Sequence, residues 1–178
     1  MLLFIFKYFY AISDIINKER RIKMNKILIC YFSATGTTKN TAEQISLATN
    51  GELFEIEPVE KYTNKDLDWN DKNSRTTLEM ENENCRPKIV KKIENINNYD
   101  KIVIGFPVWW YREPSIIDTF IEENNLKEKS IYIFVTSGGS TVNGSLESLK
   151  KHYKDLNFIS GKTLNYNIEE KDIKDWLM

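Results

Sequence analysis

The chain has 178 residues, of which 41% are hydrophobic and 29% are charged, and its formal net charge is −1. These values fit one soluble globular domain and exclude a strongly basic chain of the kind that binds nucleic acid through phosphate contacts. The two cysteines, Cys30 and Cys85, do not provide a disulfide framework, and His152 is the single histidine. Since this histidine lies in a polar segment of helical pattern, we expect neither a Cys/His metal cluster nor a Ser-His-Asp triad.

Residues 1–23 differ from the rest of the chain and are predicted to be an N-terminal extension of the domain, which we place at residues 24–178. Their apolar runs are too short and too interrupted for a transmembrane helix, and the basic residues follow these runs, unlike in a secretory signal. Met24 precedes a strand-like run, which favours a start codon misassigned upstream. The alternative is an amphipathic segment that anchors the protein at a membrane surface.

From residue 26 onward, short apolar runs alternate with segments of helical periodicity. The apolar runs predict strands at residues 26–32, 52–56, 101–106, 131–136 and 158–164. The periodic segments predict helices at residues 37–49, 115–124, 145–155 and 169–177. Residues 64–87 are polar, and their pattern does not place any element boundary. The alternation indicates an α/β fold, a parallel sheet covered by helices on both faces, whose ligands bind in the loops after the strands.

The loop after the first predicted strand is rich in hydroxyl groups and leads directly into a helix. It contains Ser33, Thr35, Gly36, Thr37 and Thr38. Free N–H groups at the helix N-terminus, four hydroxyls and a permissive glycine together predict a phosphate site. A triphosphate loop requires a Lys-Ser/Thr pair that is missing here, so a single monoester phosphate is favoured. The alternative is a turn in which one hydroxyl caps the helix.

Three consecutive aromatic residues follow the third predicted strand. The loop contains Pro107, Val108, Trp109, Trp110 and Tyr111. Adjacent aromatic side chains in a loop cannot all be buried in the core, so a planar heteroaromatic ligand that stacks on them is the favoured interpretation. The alternatives are an aromatic interface with a partner, or packing of these side chains on the polar segment at residues 64–87.

The first loop, with its pattern Ser33-x-Thr35-Gly36-x-Thr38, resembles the FMN phosphate loop of the flavodoxin family. The aromatic loop resembles the first flavin-binding loop, and its Pro-x-Trp-Trp form is similar to one bacterial branch of short flavodoxins. The resemblance spans nearly all of residues 24–178. It implies one bound FMN and a three-layer flavodoxin-like fold, with a five-stranded parallel sheet in the order 2-1-3-4-5. By the same resemblance, one tryptophan of the pair stacks on the isoalloxazine ring.

A third loop, after the fourth predicted strand, contains Thr136, Ser137, Gly138 and Gly139. Its glycines permit a close approach of the backbone, and the resemblance implies that its N–H groups donate to the pyrimidine carbonyls of the flavin. The alternative is a flexible loop that caps the next helix. In contrast to many flavodoxins, this loop has no aromatic residue. One flavin face is therefore either open or covered by Trp69 or by the second tryptophan of the pair.

The resemblance implies an electron-transfer protein that receives electrons from a reductase and delivers them to an acceptor enzyme, as a monomer in the cytoplasm. An NAD(P)H-dependent quinone or flavin oxidoreductase on the same fold is the first alternative, because an open flavin face would admit a substrate. A non-redox module that binds a partner through residues 109–111 is the second. No nucleic acid partner is expected, and a membrane partner only if residues 1–23 act as an anchor.

Overall fold

The structure is a computed structural model that describes residues 26–165 and 168–178, so the predicted extension at residues 1–23 lies outside the described residues. The strands in these ranges are β1 (Ile27–Tyr31), β2 (Glu52–Glu55), β3 (Lys101–Pro107), β4 (Ser130–Thr136) and β5 (Asn157–Thr163). The α-helices are α1 (Thr37–Thr49), α2 (Arg75–Glu81), α3 (Ser115–Glu123), α4 (Asn143–His152) and α5 (Glu170–Leu177). A 3₁₀ helix, Ile96–Asn98, precedes β3. None of the described helices combines the length and the apolar character that crossing a bilayer requires.

The strands form one parallel sheet in the order β2-β1-β3-β4-β5, which confirms the predicted topology. The chain passes from β1 to β2 on one side and then crosses to β3 on the other side of β1. The strand order therefore reverses between β1 and β3, and a crevice opens there at the carboxyl ends of the strands. The loops that follow β1 and β3 border this crevice.

The core lies on both faces of the sheet because successive side chains of a strand point to opposite faces. Along β1, Ile27 and Ile29 belong to the apolar cluster that includes α1 and α5, whereas Leu28 and Cys30 belong to the cluster that includes α3 and α4. All four side chains are buried. This double burial explains the continuous apolar run of β1 and gives the three layers of the predicted fold.

Gly105 makes room for an aromatic ring of the neighbouring strand next to the crevice. It pairs with Phe134 of β4, and a Cβ atom added at Gly105 would lie 1.9 Å from the Phe134 ring. The ring therefore occupies the volume that a side chain at position 105 would need. The Phe134 ring therefore lies across β3 two residues before the end of this strand, close to the start of the aromatic loop.

Helix α1 has the predicted bounds, α3 and α5 each differ from the prediction by one residue at one end, and two other helices differ more. Helix α4 begins at Asn143, two residues before the predicted start, so the third loop is shorter than expected. Helix α2 lies inside the polar segment at residues 64–87, where the pattern placed no boundary. Its first turn is capped by Ser74, whose Oγ accepts a hydrogen bond from the N–H of Thr77.

Candidate functional site

The loops after β1 and β3 meet at a cavity of about 440 Å³. Its volume falls within the range of small-molecule sites in proteins. The side chains that line it are aromatic, aliphatic or hydroxyl-bearing, and the residues are Ala34, Thr35, Leu67, Trp69, Thr76, Pro107, Val108, Trp109, Trp110, Tyr111 and Ser140. Such a lining suits a flat apolar ring that carries a few polar atoms.

The hydroxyl loop at residues 33–38 leaves the N-terminus of α1 without a side-chain cap. Gly36 is the residue before the helix, and its φ of 90° lies in the left-handed region that favours glycine. Its N–H donates to the Oγ of Ser33 at 3.1 Å, while no side chain of the described residues makes a capping hydrogen bond at the first turn of the helix. The alternative interpretation, in which a hydroxyl caps α1, is therefore wrong. The free N–H groups in the first turn of α1 would therefore stabilise an anion bound at this end of the helix.

The predicted phosphate-site hydroxyls have different surroundings. Thr35 is exposed and lines the cavity, and its Oγ1 lies 3.5 Å from the Oγ1 of Thr37. Thr38 is buried, and its Oγ1 lies 2.8 Å from the Oγ1 of Thr136 at the end of β4. Since each hydroxyl both donates and accepts, one hydroxyl hydrogen of this buried pair remains available to a further acceptor. The pair ties the first loop to the end of β4.

The aromatic loop makes a tight four-residue turn, Trp109 to Arg112. The N–H of each end residue donates to the carbonyl of the other at 3.1 Å, and the central residues, Trp110 and Tyr111, have φ values of 45° and 69°. Two central residues with positive φ define a type I′ turn, which is normally occupied by Gly, Asn or Asp. Aromatic residues at both positions strain the backbone, and such strain is concentrated at functional sites.

The two tryptophans of this turn have different roles in the packing. The Trp109 ring packs edge-on against Phe32 at 5.5 Å and against Tyr62 at 5.3 Å between ring centroids, so its orientation is fixed. Trp110 is 42% exposed and Tyr111 77% exposed, although both line the cavity. The turn is supported from behind by Gly144 in α4, where an added Cβ atom would lie 2.3 Å from the Tyr111 carbonyl oxygen.

The third predicted loop contributes less directly to the cavity. The Ser137 Oγ accepts hydrogen bonds from the N–H groups of Gly139 and Ser140, at 3.2 and 2.8 Å. Of this region only Ser140 lines the cavity, while Ser137, Gly138 and Gly139 do not. A Cβ atom added at Gly138 or Gly139 would meet nothing within 4 Å, so the protein itself does not require glycine there. The assignment of these glycines to a flavin edge stays a prediction.

A family model described as Flavodoxin matches residues 26–178 of the chain. The chain belongs to the flavodoxin family. Among solved structures, a protein from Bacteroides eggerthii described as a flavoprotein is 50% identical, with a TM-score of 0.83 over 85% of this chain and 95% of its own. A second, from Bacteroides uniformis, is 41% identical, with a TM-score of 0.81 over 86% of this chain and 98% of its own.

A more distant structural relative contains a flavin. The flavoprotein from Lactobacillus acidophilus in complex with FMN is 25% identical, with a TM-score of 0.66 over 85% of this chain and 98% of its own. The comparison with curated proteins gives no match. The family and the fold of this flavodoxin are therefore established, while its ligand and its partners are matters of proposal.

Sequence reasoning did not assign the segment between β2 and β3 to the site. We call residues 62–81 the crossover wall, because they lie in the connection between these strands and form one side of the cavity. Leu67, Trp69 and Thr76 of the crossover wall line the cavity together with the aromatic turn. Of these three residues, the sequence singles out Trp69 alone, as one of the alternatives for covering a flavin face. The capping pattern at Ser74 was the signal that could have placed α2 here.

A cluster of buried charges lies directly behind the aromatic turn of this flavodoxin. Glu113 is fully buried, and its Oε1 accepts from the Ser148 hydroxyl at 2.8 Å. Its Oε2 has no hydrogen-bond partner within residues 26–165 and 168–178. Burial, with a contribution from the nearby Asp118, raises the pKa of Glu113 to about 7. The Nη1 of Arg112 lies 4.0 Å from the Oε1 of Glu113 and 3.9 Å from the Oδ2 of Asp118. The positive charge of Arg112 partly opposes the rise in the pKa of Glu113.

Proposed function

We propose that this flavodoxin binds one FMN and carries electrons between a reductase and an acceptor enzyme in the cytoplasm. One observation carries the proposal: Thr35 belongs to the hydroxyl loop and also lines the aromatic cavity. The anion site and the ring site are therefore contiguous, as a phosphate attached to a heteroaromatic ring requires. The FMN complex of the Lactobacillus acidophilus relative supports FMN as the ligand.

The donors of the first loop fit a phosphate monoester. The uncapped N-terminus of α1 offers backbone N–H groups, and the Thr35 and Thr37 hydroxyls flank it. These groups would hold the phosphate without a lysine, because N–H and hydroxyl donors to an anion make strong hydrogen bonds. The aromatic turn would orient the ring, whose chemistry when bound is the reversible uptake of electrons.

The cavity lining favours a carrier over an enzyme. Among the residues that line the cavity in the described part of the chain, none is a carboxylate, a histidine, a lysine or an arginine. An enzyme that also transfers a proton to its substrate generally uses a positioned acid or base within hydrogen-bond reach. Glu113 lies behind the turn, fully buried and not among the lining residues. Electron exchange with a docked protein needs no such group.

The first experiment tests FMN binding. We expect the purified full chain to show a flavin absorption spectrum, or to take up FMN after removal of bound ligand, and to bind it with saturable fluorescence quenching. The double variant T35V/T37V removes two hydroxyl donors and should weaken FMN binding at least tenfold while leaving riboflavin binding nearly unchanged. The variant T49V, at the far end of α1, is the control. Equal FMN affinity in all three proteins would overturn the phosphate assignment.

The second experiment separates the carrier from its alternatives. We expect the loaded protein to accept electrons from a flavodoxin reductase and to pass them to a haem protein in a stopped-flow assay. It should oxidise NAD(P)H only when the reductase is present. Steady-state oxidation of NAD(P)H by a quinone without any reductase would favour the oxidoreductase instead. A colourless protein without FMN affinity would leave only a non-redox interaction module.

A further inference from the structure

The crossover wall presents an aromatic side chain to the cavity without packing it against the protein. Trp69 lines the cavity and is 73% exposed, in contrast to Trp109, whose ring is held between two other rings. Together with Trp110 and Tyr111 it surrounds the cavity with aromatic surface in contact with solvent. A contiguous apolar patch around a cavity marks a site where a ligand is bound.

The crossover wall is internally fixed although much of it is polar. The N–H and the Oγ1 of Thr76 both donate to the carbonyl of Asp66, at 3.1 and 2.7 Å. The Oγ1 of Thr77 donates to the carbonyl of Asp71 at 3.0 Å. These bonds close the loop that contains Trp69 onto the first turn of α2. A loop fixed in this way holds an exposed side chain in place at a low cost in conformational entropy.

The crossover wall is also joined to the aromatic turn. The Tyr62 hydroxyl donates to the carboxylate of Glu79 at 2.7 Å, and the Arg75 guanidinium lies 4.1 Å from the centre of the Tyr62 ring. The same Tyr62 ring packs edge-on against Trp109. From the other side, Arg112 donates to the carbonyl of Met80 at 3.2 Å. The wall and the turn therefore form one preorganised unit on either side of the cavity.

We propose that the crossover wall is a third element of the flavin site, in which the Trp69 indole covers part of the isoalloxazine ring that the aromatic turn leaves uncovered. This inference rests on the proposed FMN function and names residues of this chain beyond the three loops. The third loop lacks an aromatic residue, and Trp69 supplies from the crossover wall the surface that this loop does not. Trp69 would recognise an electron-poor planar ring, because such a ring stacks on an indole.

The test compares three variants of the full chain in FMN titrations followed by flavin fluorescence and visible circular dichroism. The variant W69A removes the indole and should weaken FMN binding about 10- to 100-fold, as the loss of one stacking partner does at nucleobase sites. It should also change the visible circular dichroism of bound FMN. The variant W69F retains a ring and should keep the affinity within about threefold, since stacking persists.

The control is L78A, which removes an apolar side chain of the same wall that is 52% exposed and does not line the cavity. It should leave FMN affinity unchanged. Because Trp69 is exposed, W69A should keep the far-ultraviolet circular dichroism of the parent. If the parent binds FMN and W69A matches it in affinity and in visible circular dichroism, the inference is overturned while the FMN proposal stands. If the parent itself binds no FMN, both fail.

Discussion

The burial of Glu113 predicts an unusual pH dependence of stability. In the unfolded chain this carboxyl ionises near its ordinary value of 4.5, whereas burial raises its pKa in the folded protein to about 7. Between these two values the folded state binds more protons than the unfolded state. Stability therefore falls as the pH rises through this window, the opposite of the usual behaviour of a paired carboxylate.

The magnitude follows from the size of the shift. Each pKa unit corresponds to about 1.4 kcal/mol, so the difference between 4.5 and about 7 is worth about 3 kcal/mol of stability lost by pH 8. Replacing Glu113 with glutamine keeps the acceptor for Ser148 but cannot ionise. We expect the free energy of unfolding of E113Q, measured relative to the parent, to increase by about 3 kcal/mol as the pH rises from 4.5 to 8. A pH-independent effect of the amide would shift the whole difference curve and would not change this increase.

The measurement is equilibrium urea unfolding of the full chain without added ligand, followed by far-ultraviolet circular dichroism from pH 4.5 to pH 8.5. The pKa of Asp118 is also raised by burial, so the parent curve contains a second contribution of the same sign. The difference between parent and E113Q at each pH removes most of this background and reports the titration of Glu113 together with its coupling to Asp118. Two curves that run parallel over the whole range would refute the reasoning, because the carboxyl would then titrate alike in both states.

Three further substitutions test the packing around the site. Replacing Thr38 with valine leaves the buried Thr136 hydroxyl without its partner, and urea unfolding should show a loss of about 1–2 kcal/mol; an unchanged midpoint would argue against the pair. Replacing Gly105 with alanine forces a Cβ atom into the Phe134 ring, and we expect a loss of about 1–3 kcal/mol that F134L partly restores; an unaffected Tm would contradict this packing. Replacing Tyr111 with glycine should give a protein about 1 kcal/mol more stable than the alanine variant, since φ is 69°; the reverse order would show that the turn is unstrained.

The sheet and most helices could be predicted because their signals are local. The apolar runs of β3 and β4 are continuous since both faces of these strands are covered, and the N-terminus of α1 follows a hydroxyl-rich turn with a glycine. For helix α2 the capping pattern at Ser74 was the one local signal, because the helix is short and little of it is apolar. Its stability comes from tertiary contacts, such as the bonds of Thr76 to Asp66 and of Ser115 to Glu79.

The candidate site could be predicted only as far as it consists of consecutive residues. The Thr38–Thr136 pair joins positions 98 residues apart, which no local pattern indicates. The turn at Trp110 and Tyr111 contradicts turn propensities, because positive φ normally calls for Gly, Asn or Asp. The position of Trp69 at the cavity depends on how the crossover wall packs against the loops after β1 and β3. Sequence reasoning therefore could not predict the contacts between segments that are distant in the chain.

Arg112 connects the strained turn to the buried acidic residues behind it. Its backbone closes the type I′ turn with Trp109, and its side chain donates to the Met80 carbonyl of the crossover wall. A mostly buried guanidinium needs negative charge nearby; a carboxylate oxygen of Asp118 lies 3.9 Å away, and Glu113 adds a second charge at 4.0 Å when it is ionised. One residue thus joins the aromatic turn, the crossover wall and α3. Because strained backbone persists only where its surroundings over-determine it, these contacts are what hold two aromatic residues at positive φ beside the cavity.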